Sequence, residues 1–332
     1  MKKFKLFACC IPVKGISRSI LYDLQRFSFH FIPLGLYEIL SECKDMNTDD
    51  IKVKYNNCFD GVIDEYFEYL IEKEYGFYCD NPENFPNLSL EFETPEIINN
   101  VVIDVSNQSM HDFEKIFLQF DYLGCKYLEL RFFDETELSQ IVEILKLTKY
   151  TRLKNVDILV KHIALVTEDV LYDTLISANP IIGNIIIHSS PIDKYFDGES
   201  KYFNIKFSNK KLLSSDCCGN ISACDFNINL KMFTESLKYN TCLNKKLSID
   251  VYGNIKNCPS LKESFGNHKN IDFKNVVFKE EYQKFWLINK DQIKICKDCE
   301  FRYMCTDCRA FLTNEYDKPL KCSYDPFTMQ WN

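Results

Sequence analysis

Over the first 80 residues, the apolar side chains change from a strand-like to a helix-like spacing. Apolar positions alternate with polar ones from Ile20 to Leu24, and again from Phe27 to Phe31 after a slip of phase. A period of two interrupted in this way predicts a β-hairpin. From Phe59 to Ile71 the apolar residues recur at helical spacing, which predicts an amphipathic helix. Together these elements indicate a winged-helix-like module over residues 1–80.

A second pattern starts after residues 81–96, a polar stretch with three prolines that is typical of a linker. Strands are expected at 101–105, 127–133, 156–160 and 181–188, and helices at 111–123, 134–147 and 167–177. Asp134 and Glu137 have the spacing of a capping box at the start of the second helix. The alternation predicts a parallel sheet with crossover helices. About four βα units are visible, too few for an eight-fold barrel, so residues 97–212 are interpreted as a partial βα barrel.

Composition narrows the class of protein further. The chain has 332 residues, of which 46% are apolar and 27% charged, ordinary values for a folded protein. Its net charge of −8 argues against non-specific nucleic-acid binding, which needs a basic face. No apolar run approaches the roughly 20 residues that span a bilayer, and the basic N-terminus lacks the long apolar core of a secretory signal. We therefore expect a cytoplasmic protein with no membrane or nucleic-acid partner.

The 16 cysteines change this ordinary picture, because seven of them fall in the last 91 residues. These seven are Cys242, Cys258, Cys296, Cys299, Cys305, Cys308 and Cys322. Two C-x-x-C pairs, 296/299 and 305/308, are separated by five residues, whereas zinc ribbons place about 12–20 residues between their pairs. The short gap favours iron–sulfur clusters. Zinc is the alternative, since thiolates bind both metals, and disulfides are disfavoured in a reducing compartment.

The order of these cysteines resembles the SPASM domain, the auxiliary-cluster extension of many radical S-adenosylmethionine peptide-modifying enzymes. Phe265-Gly266-Asn267 also stands where such domains carry a Gly-Asn, and the resemblance places the domain at residues 213–332. By resemblance, one 4Fe-4S cluster would be held by Cys242, Cys258 and Cys308, and another by Cys296, Cys299, Cys305 and Cys322. The first set lacks a fourth thiolate, for which Cys218 and Cys224 are candidates. Only two residues, Thr306 and Asp307, separate Cys305 from Cys308, whereas the family usually has three before the equivalent cysteine.

A radical S-adenosylmethionine enzyme also needs a C-x3-C-x2-C loop after its first barrel strand, and this chain has none. Residues 106–112 follow the first predicted strand without a cysteine. The Gly-Gly-Glu-type motif expected on the next strand is replaced by Leu130–Asp134. The predicted fold is therefore α/β, with a partial barrel related to radical S-adenosylmethionine folds that has lost its cofactor site. Arg131 and Asp134 are candidates for substrate binding there, or for a buried ion pair.

The front module resembles the RiPP recognition element, which binds the leader of a ribosomally synthesised precursor peptide as an added strand. A winged helix used only for internal packing is the alternative. The whole chain resembles the SPASM-domain peptide maturase of grasp-with-spasm systems, through stretches such as Phe4–Gly15, Thr241–Asn244, Ile255–Ser260 and Cys296–Tyr303. That resemblance implies a precursor-peptide substrate and an ATP-grasp ligase partner.

Three functions follow from these resemblances. The first is a peptide-maturation component that binds the leader and presents the peptide to the ligase. The second is a redox enzyme that uses its clusters to modify a peptide, and the third is a zinc-binding scaffold. Whether the chain is itself a catalyst stays open.

Two further features are weighed against plainer interpretations. His188 ends a predicted strand and could lie at the mouth of the barrel, although an exposed or a hydrogen-bonded histidine is the more ordinary interpretation. Cys9 and Cys10 are adjacent, and adjacent residues of a strand point to opposite faces. We therefore expect these two thiols not to act together.

Overall fold

The computed structural model describes residues 2–44, 46–197 and 203–332. Its strands are β1 Lys3–Leu6, β2 Cys10–Lys14, β3 Ser19–Asp23, β4 Ser28–Ile32, β5 Gly76–Cys79, β6 Asn100–Val105, β7 Tyr127–Phe132, β8 Asn155–Lys161, β9 Ile182–His188, β10 Lys194–Asp197, β11 Asn204–Phe207, β12 Lys246–Ile249, β13 Ile255–Lys256, β14 Tyr324–Asp325 and β15 Gln330–Trp331. Its α-helices are α1 Leu34–Glu42, α2 Thr48–Lys54, α3 Asp60–Glu72, α4 Phe113–Leu123, α5 Leu138–Lys146, α6 Glu168–Leu171, α7 Leu230–Lys238, α8 Lys274–Val277 and α9 Glu280–Gln283. A π-helical turn, Tyr172–Ile176, continues α6.

The N-terminal part is a three-stranded antiparallel sheet, β2-β3-β4, followed by the three helices α1, α2 and α3. The predicted hairpin is confirmed as β3 and β4, which reverse through a turn that holds Phe27 at a φ of 55°. The amphipathic helix is confirmed as α3, which buries Ile63, Phe67 and Leu70 on one side. Strands β1 and β5 pair antiparallel and join the two ends of this region. That it is a winged helix stays a prediction.

The central layer is an eight-stranded, mainly parallel sheet in the order β10-β11-β9-β8-β7-β6-β12-β13. The four predicted strands are confirmed as β6, β7, β8 and β9, which pair parallel in sequence order. Helices α4 and α5 pack apolar residues such as Phe120 and Ile141 against this sheet, in a core where both side chains are fully buried. The sheet is open between its outer strands, β10 and β13, in the part of the chain that the structure describes.

The sheet is larger at both edges than the sequence predicts. On one side, β11 pairs parallel with β9 and antiparallel with β10, from a segment that shows little periodicity. On the other side, β12 pairs parallel with β6 and carries β13 at the outer edge. The cysteine-rich segment thus contributes two strands to the central sheet, and the sheet continues across the predicted boundary at residue 213. The boundary itself stays a prediction.

The N-terminal sheet also packs against the C-terminal segment. Val13, Ile20 and Tyr22 share a buried cluster with Phe301 and Met304. A backbone hydrogen bond from the Ile16 N–H to the Asp298 carbonyl, 2.8 Å long, crosses the same contact. The front module therefore lies directly on the chain between the two C-x-x-C pairs.

Candidate metal centre

The candidate cysteines of the C-terminal segment form two groups in space. We call Cys218, Cys242, Cys258 and Cys308 the first thiol group, and Cys296, Cys299, Cys305 and Cys322 the second thiol group. Within each group the thiolate charges raise one another's pKa values, as detailed below. This partition agrees with the one that the resemblance implied. The assignment of ligands remains a prediction.

Polar side chains position two members of the first thiol group. Cys242 follows α7 in a turn where the Asn240 Oδ1 accepts the N–H of Cys242 at 3.0 Å. Cys258 lies just after β13, and its neighbour Asn257 donates through Nδ2 to the Leu243 carbonyl at 3.0 Å. Both asparagines are fully buried and both bind the backbone of Leu243, because the Leu243 N–H donates to the Asn240 Oδ1 at 2.8 Å. Both thiols are thereby brought to the start of β12.

Close packing against Gly219 positions Cys308, a third member of the first thiol group. Gly219 has a φ of +85°, and a Cβ added to it would lie only 2.7 Å from the Cys308 Sγ. This close approach sets Cys308 beside the residue that follows Cys218. Burial raises the pKa of Cys308, and the Cys242 thiolate adds to the rise.

Cys218, and not Cys224, lies against this group. The Arg131 Nη1 donates to the Cys218 Sγ at 2.7 Å. A hydrogen bond from Cys217, aided by the Arg131 charge, lowers the pKa of Cys218 to about 5 despite its burial. Cys224 is exposed in a short turn, where its N–H donates to Ser222. Of the two candidates for a fourth thiol, Cys218 is therefore the one that the structure places near this group.

Lys246 provides a cation at the centre of the first thiol group. Its Nζ lies 3.5 Å from the Cys242 Sγ. Burial alone would lower the pKa of Lys246, but the thiolates of Cys242 and Cys258 outweigh it and raise that pKa. Burial raises the pKa of Cys258 to about 11, and the charge of Lys246 partly offsets that rise. A charged ammonium beside these partly buried thiols therefore favours their thiolate forms.

The second thiol group is built on tight turns near the C-terminus. Cys296 opens a 3-10 turn, Cys296–Asp298, in which the Cys299 N–H donates to the Cys296 carbonyl at 3.0 Å. Burial raises the pKa of Cys305 to about 11, and the Cys322 and Cys296 thiolates add to the rise. Cys322 forms a parallel β-bridge with Ile221, three residues after Cys218. Both groups are therefore anchored to the same loop.

A buried ion-pair network lies between the two groups. Asp307, which separates Cys305 from Cys308, is 2.7 Å from the Arg309 Nη2 and 3.5 Å from the Lys290 Nζ. Its other oxygen accepts from the Asn240 Nδ2 at 2.8 Å. All four of these polar side chains are buried. The pKa of Lys290 is lowered by burial but raised overall by Asp307 and by the Cys305 and Cys296 thiolates.

This donor set suits iron–sulfur clusters. Each group offers four thiols, the ligand type such clusters take. Each also faces a cation, Lys246 or Lys290, that can balance the negative charge of a thiolate-bound cluster. Sequence reasoning missed both lysines and Cys217, and it did not connect Arg131 with Cys218. Their roles depend on contacts between segments far apart in the chain.

Other predicted site residues take plainer roles. Arg131 forms a buried ion pair with Asp104 at 2.6 Å, while the Asp134 carboxylate accepts the backbone N–H of Asn107 at 2.9 Å. The partner of Arg131 is thus Asp104 and not Asp134. His188 is fully buried, and its Nε2 lies 3.1 Å from the Phe132 carbonyl. The hydrogen-bonded interpretation of His188 is confirmed.

The comparison with known families bears on the same segment. Residues 241–300 match the family model of SPASM, an iron–sulfur cluster-binding domain. The matched segment contains Cys242, Cys258, Cys296 and Cys299 and ends before Cys305. The match supports iron–sulfur binding by the SPASM segment. The number and type of clusters are a separate question.

Comparisons over the whole chain are weaker. The crystal structure of SuiB from Streptococcus suis bound to S-adenosylmethionine is similar at 12% identity with a TM-score of 0.35, covering 96% of this chain and 99% of that one. A second SuiB structure gives 13% identity and a TM-score of 0.33, covering 97% and 98%. At TM-scores below 0.5, neither comparison says which fold or activity this chain has. No curated protein matches the chain. Among the residues that the structure describes, no helix is long and apolar enough to cross a bilayer.

Proposed function

We propose that this chain is a peptide-maturation component of a ribosomally synthesised peptide pathway. It binds the leader of a precursor peptide through its N-terminal module and presents the peptide to an ATP-grasp ligase partner. The SPASM segment holds two 4Fe-4S clusters, one on each thiol group. The observation that carries the proposal is the packing of the N-terminal sheet on the chain between the two C-x-x-C pairs. The ligase partner rests on the family resemblance alone.

The spacing of the thiols supports clusters over zinc. A tetrahedral zinc ion with Zn–S bonds of about 2.3 Å needs sulfurs roughly 3.8 Å apart. Across the described residues, no three cysteines of either thiol group have their sulfurs within 4.8 Å of one another. The thiols of each group nevertheless interact through their charges. A four-iron cluster is larger than one ion, so its thiolates stand farther apart than those around a single zinc ion.

The clusters would act mainly through the structure they hold. The first thiol group joins the loop at Cys218 to the start of β12, and the second joins the C-terminal turns to each other. Because folding must assemble these ligands, the free energy of cluster binding adds to the stability of the segment. Iron–sulfur clusters also carry single electrons, and this is the chemistry they would add when bound.

A groove in the front module suits an extended peptide. It has a volume of about 440 Å³ between β1, β2, α1 and α2, and its apolar lining includes Phe4, Leu6, Phe7, Ile11 and Leu40. Strand β2 is an edge strand of its three-stranded sheet. An edge strand binds a peptide through main-chain hydrogen bonds, and neighbouring pockets select its side chains. The proposed leader site is this groove.

Iron and sulfide counts after anaerobic reconstitution test the cluster assignment. We expect about eight irons per chain, and about four after Cys242→Ala with Cys258→Ala or after Cys296→Ala with Cys305→Ala. Stoichiometric zinc with no iron would overturn the assignment. Loss of all iron in both double variants would instead mean that the two groups do not bind independently.

Leader binding is tested by fluorescence anisotropy with the precursor peptide encoded beside this gene. Deleting residues 1–80 would strip packing partners from the C-terminal segment, so a point variant is the sharper test. Phe7 is 41% exposed in the groove, and Phe59, 58% exposed on the same module, is a matched control outside it. We expect Phe7→Ser to weaken binding about tenfold, or about 1.4 kcal/mol, and Phe59→Ser to leave it unchanged. Equal affinities would exclude the groove as the leader site.

A further inference from the structure

A third group of side chains that can bind a metal lies in the front module and shares no residue with either thiol group. The donor atoms of Cys9, Cys10 and Asp23 all lie within 4.8 Å of one another. Within residues 2–44, 46–197 and 203–332, no other set of three histidine, cysteine or acidic side chains meets that distance. The prediction that the two thiols point to opposite faces is therefore wrong.

The local backbone explains why the two thiols converge. Cys9 belongs to the turn between β1 and β2, so the alternation of a strand starts only at Cys10. That turn is closed by the Cys10 N–H, which donates to the Phe7 carbonyl at 2.9 Å. The Cys9 carbonyl accepts the Leu24 N–H at 3.0 Å, which holds the turn against the end of β3. Cys10 and Asp23 are cross-strand partners, so their side chains share a face.

Asp23 is held in one orientation. Its side chain is buried, and its Oδ1 accepts the N–H groups of Gln25 at 3.1 Å and Arg26 at 2.9 Å. Its Oδ2 is 3.5 Å from the Arg26 Nη1, and Arg26 is also paired with Glu74 at 2.9 Å. The turn therefore fixes the Asp23 carboxylate beside the two thiols, and the cation paired with it, Arg26, is half-exposed and shared with Glu74.

In their ionised forms these three groups would repel one another. Burial raises the pKa of Cys10, and the Cys9 thiolate and the Asp23 carboxylate add to the rise. The other titratable groups that face Cys10 and Asp23 are Tyr75, which is buried, and Arg26. A divalent cation would turn this repulsion into attraction, since thiolates and a carboxylate would then share one positive centre.

We propose that Cys9, Cys10 and Asp23 bind one zinc ion. Zinc accepts two thiolates and a carboxylate and keeps a fourth position for water or another ligand. Calcium and magnesium prefer oxygen ligands only, and two thiols are too few for a four-iron cluster. Cys9 is half-buried, which leaves a path for exchange, and Cys10 also lines the groove of the front module. The site stands on its own geometry and does not depend on the proposed function.

The test compares zinc content among variants of the full-length protein. Wild type, Cys9→Ser, Cys10→Ser and the control Cys58→Ser are reconstituted with iron and sulfide, given zinc chloride, desalted and analysed for metals. Cys58 is an exposed free thiol of the same module and lies outside the site. We expect both site variants to hold about one zinc less per chain than wild type and Cys58→Ser. Zinc bound at incompletely filled cluster sites is common to all four proteins and cancels in the difference.

A second variant separates metal binding from folding. Asp23→Asn keeps an oxygen acceptor for the turn but removes the charge, so we expect normal circular dichroism with at least tenfold weaker zinc binding by chelator competition. Equal zinc content in wild type and both cysteine variants would overturn the proposal. Unchanged zinc affinity in Asp23→Asn would remove the carboxylate from the ligand set and overturn the three-ligand site as stated.

Discussion

Replacing Lys290 with methionine tests whether the buried cation supports the second thiol group. The side chain of Lys290 is 4% exposed, and its Nζ is 3.5 Å from the Asp307 Oδ1. With an effective dielectric constant of about 20, the attraction between the Lys290 ammonium and the Asp307 carboxylate is about 5 kcal/mol. Removing the ammonium from water costs several kcal/mol and offsets much of that attraction. Asp307 keeps its contact with Arg309 in the variant. The metal-free protein should therefore lose only about 1–3 kcal/mol of stability.

The loss should be larger once a cluster is bound, because the cluster adds negative charge facing the missing ammonium. Lys294 is a matched control, since it lies four residues away in the chain with a 74% exposed side chain and pairs with Asp317 at the surface. We expect Lys290→Met to release iron at least tenfold faster than wild type under an iron chelator, followed by visible absorption. Lys294→Met should behave as wild type, because exposed ion pairs contribute little. Equal iron release from the two variants would refute the reasoning.

Three further perturbations follow from the structure. Cys218→Ser should lower the iron content by up to about four per chain in metal analysis, while Cys224→Ser should not, and the reverse result would assign the fourth ligand to Cys224. Gly219→Ala should destabilise the protein in urea unfolding by at least about 1–2 kcal/mol, because its φ is +85°. Gly61→Ala, on open helix surface, should stabilise it by about 0.5–1 kcal/mol, and equal effects of the two would contradict the argument. Burial lowers the pKa of His268 to about 4 in the folded protein. Between about pH 6.5 and pH 4, His268 is therefore protonated in the unfolded chain but not in the folded one. Stability should fall across that window, and His268→Gln should reduce the fall by about 2 kcal/mol in urea unfolding at pH 7.5 and 5.

The sequence predicts the inner strands of the sheet well and the outer ones poorly. Strands β6, β7, β8 and β9 each bury several apolar residues in the main core, so they appear in the sequence as short runs of apolar residues. Strand β10 has exposed positions, and β13 has only two residues, so neither leaves a clear pattern. The predicted capping box is wrong, because Asp134 does not cap α5. Its carboxylate instead accepts the N–H of Asn107, a contact with another loop that the local sequence does not reveal.

At the candidate site, too, the sequence predicts some residues and cannot predict others. Regular spacing along the chain was sufficient to select the seven C-terminal cysteines. It could not choose between Cys218 and Cys224, because that choice depends on the contact of Arg131 with Cys218 across the sheet. The prediction for Cys9 is wrong because Cys9 lies in a turn and β2 begins only at Cys10. Such errors at the ends of elements matter most where adjacent side chains carry the chemistry.

The packing of the front module on the chain between the C-x-x-C pairs has a thermodynamic consequence. Glu300, next to Cys299, receives hydrogen bonds from Arg18 at 2.7 Å and from Tyr324 at 2.6 Å, and its carbonyl lies 3.4 Å from the Tyr22 hydroxyl. Whatever orders Cys299 therefore also orders the strand that carries Tyr22. Linkage requires this effect to be reciprocal. If a ligand that stabilises the front sheet raises the affinity for iron by some factor, bound iron raises the affinity for that ligand by the same factor. In a cell short of iron, the affinity of the front module for such a ligand would then fall as well.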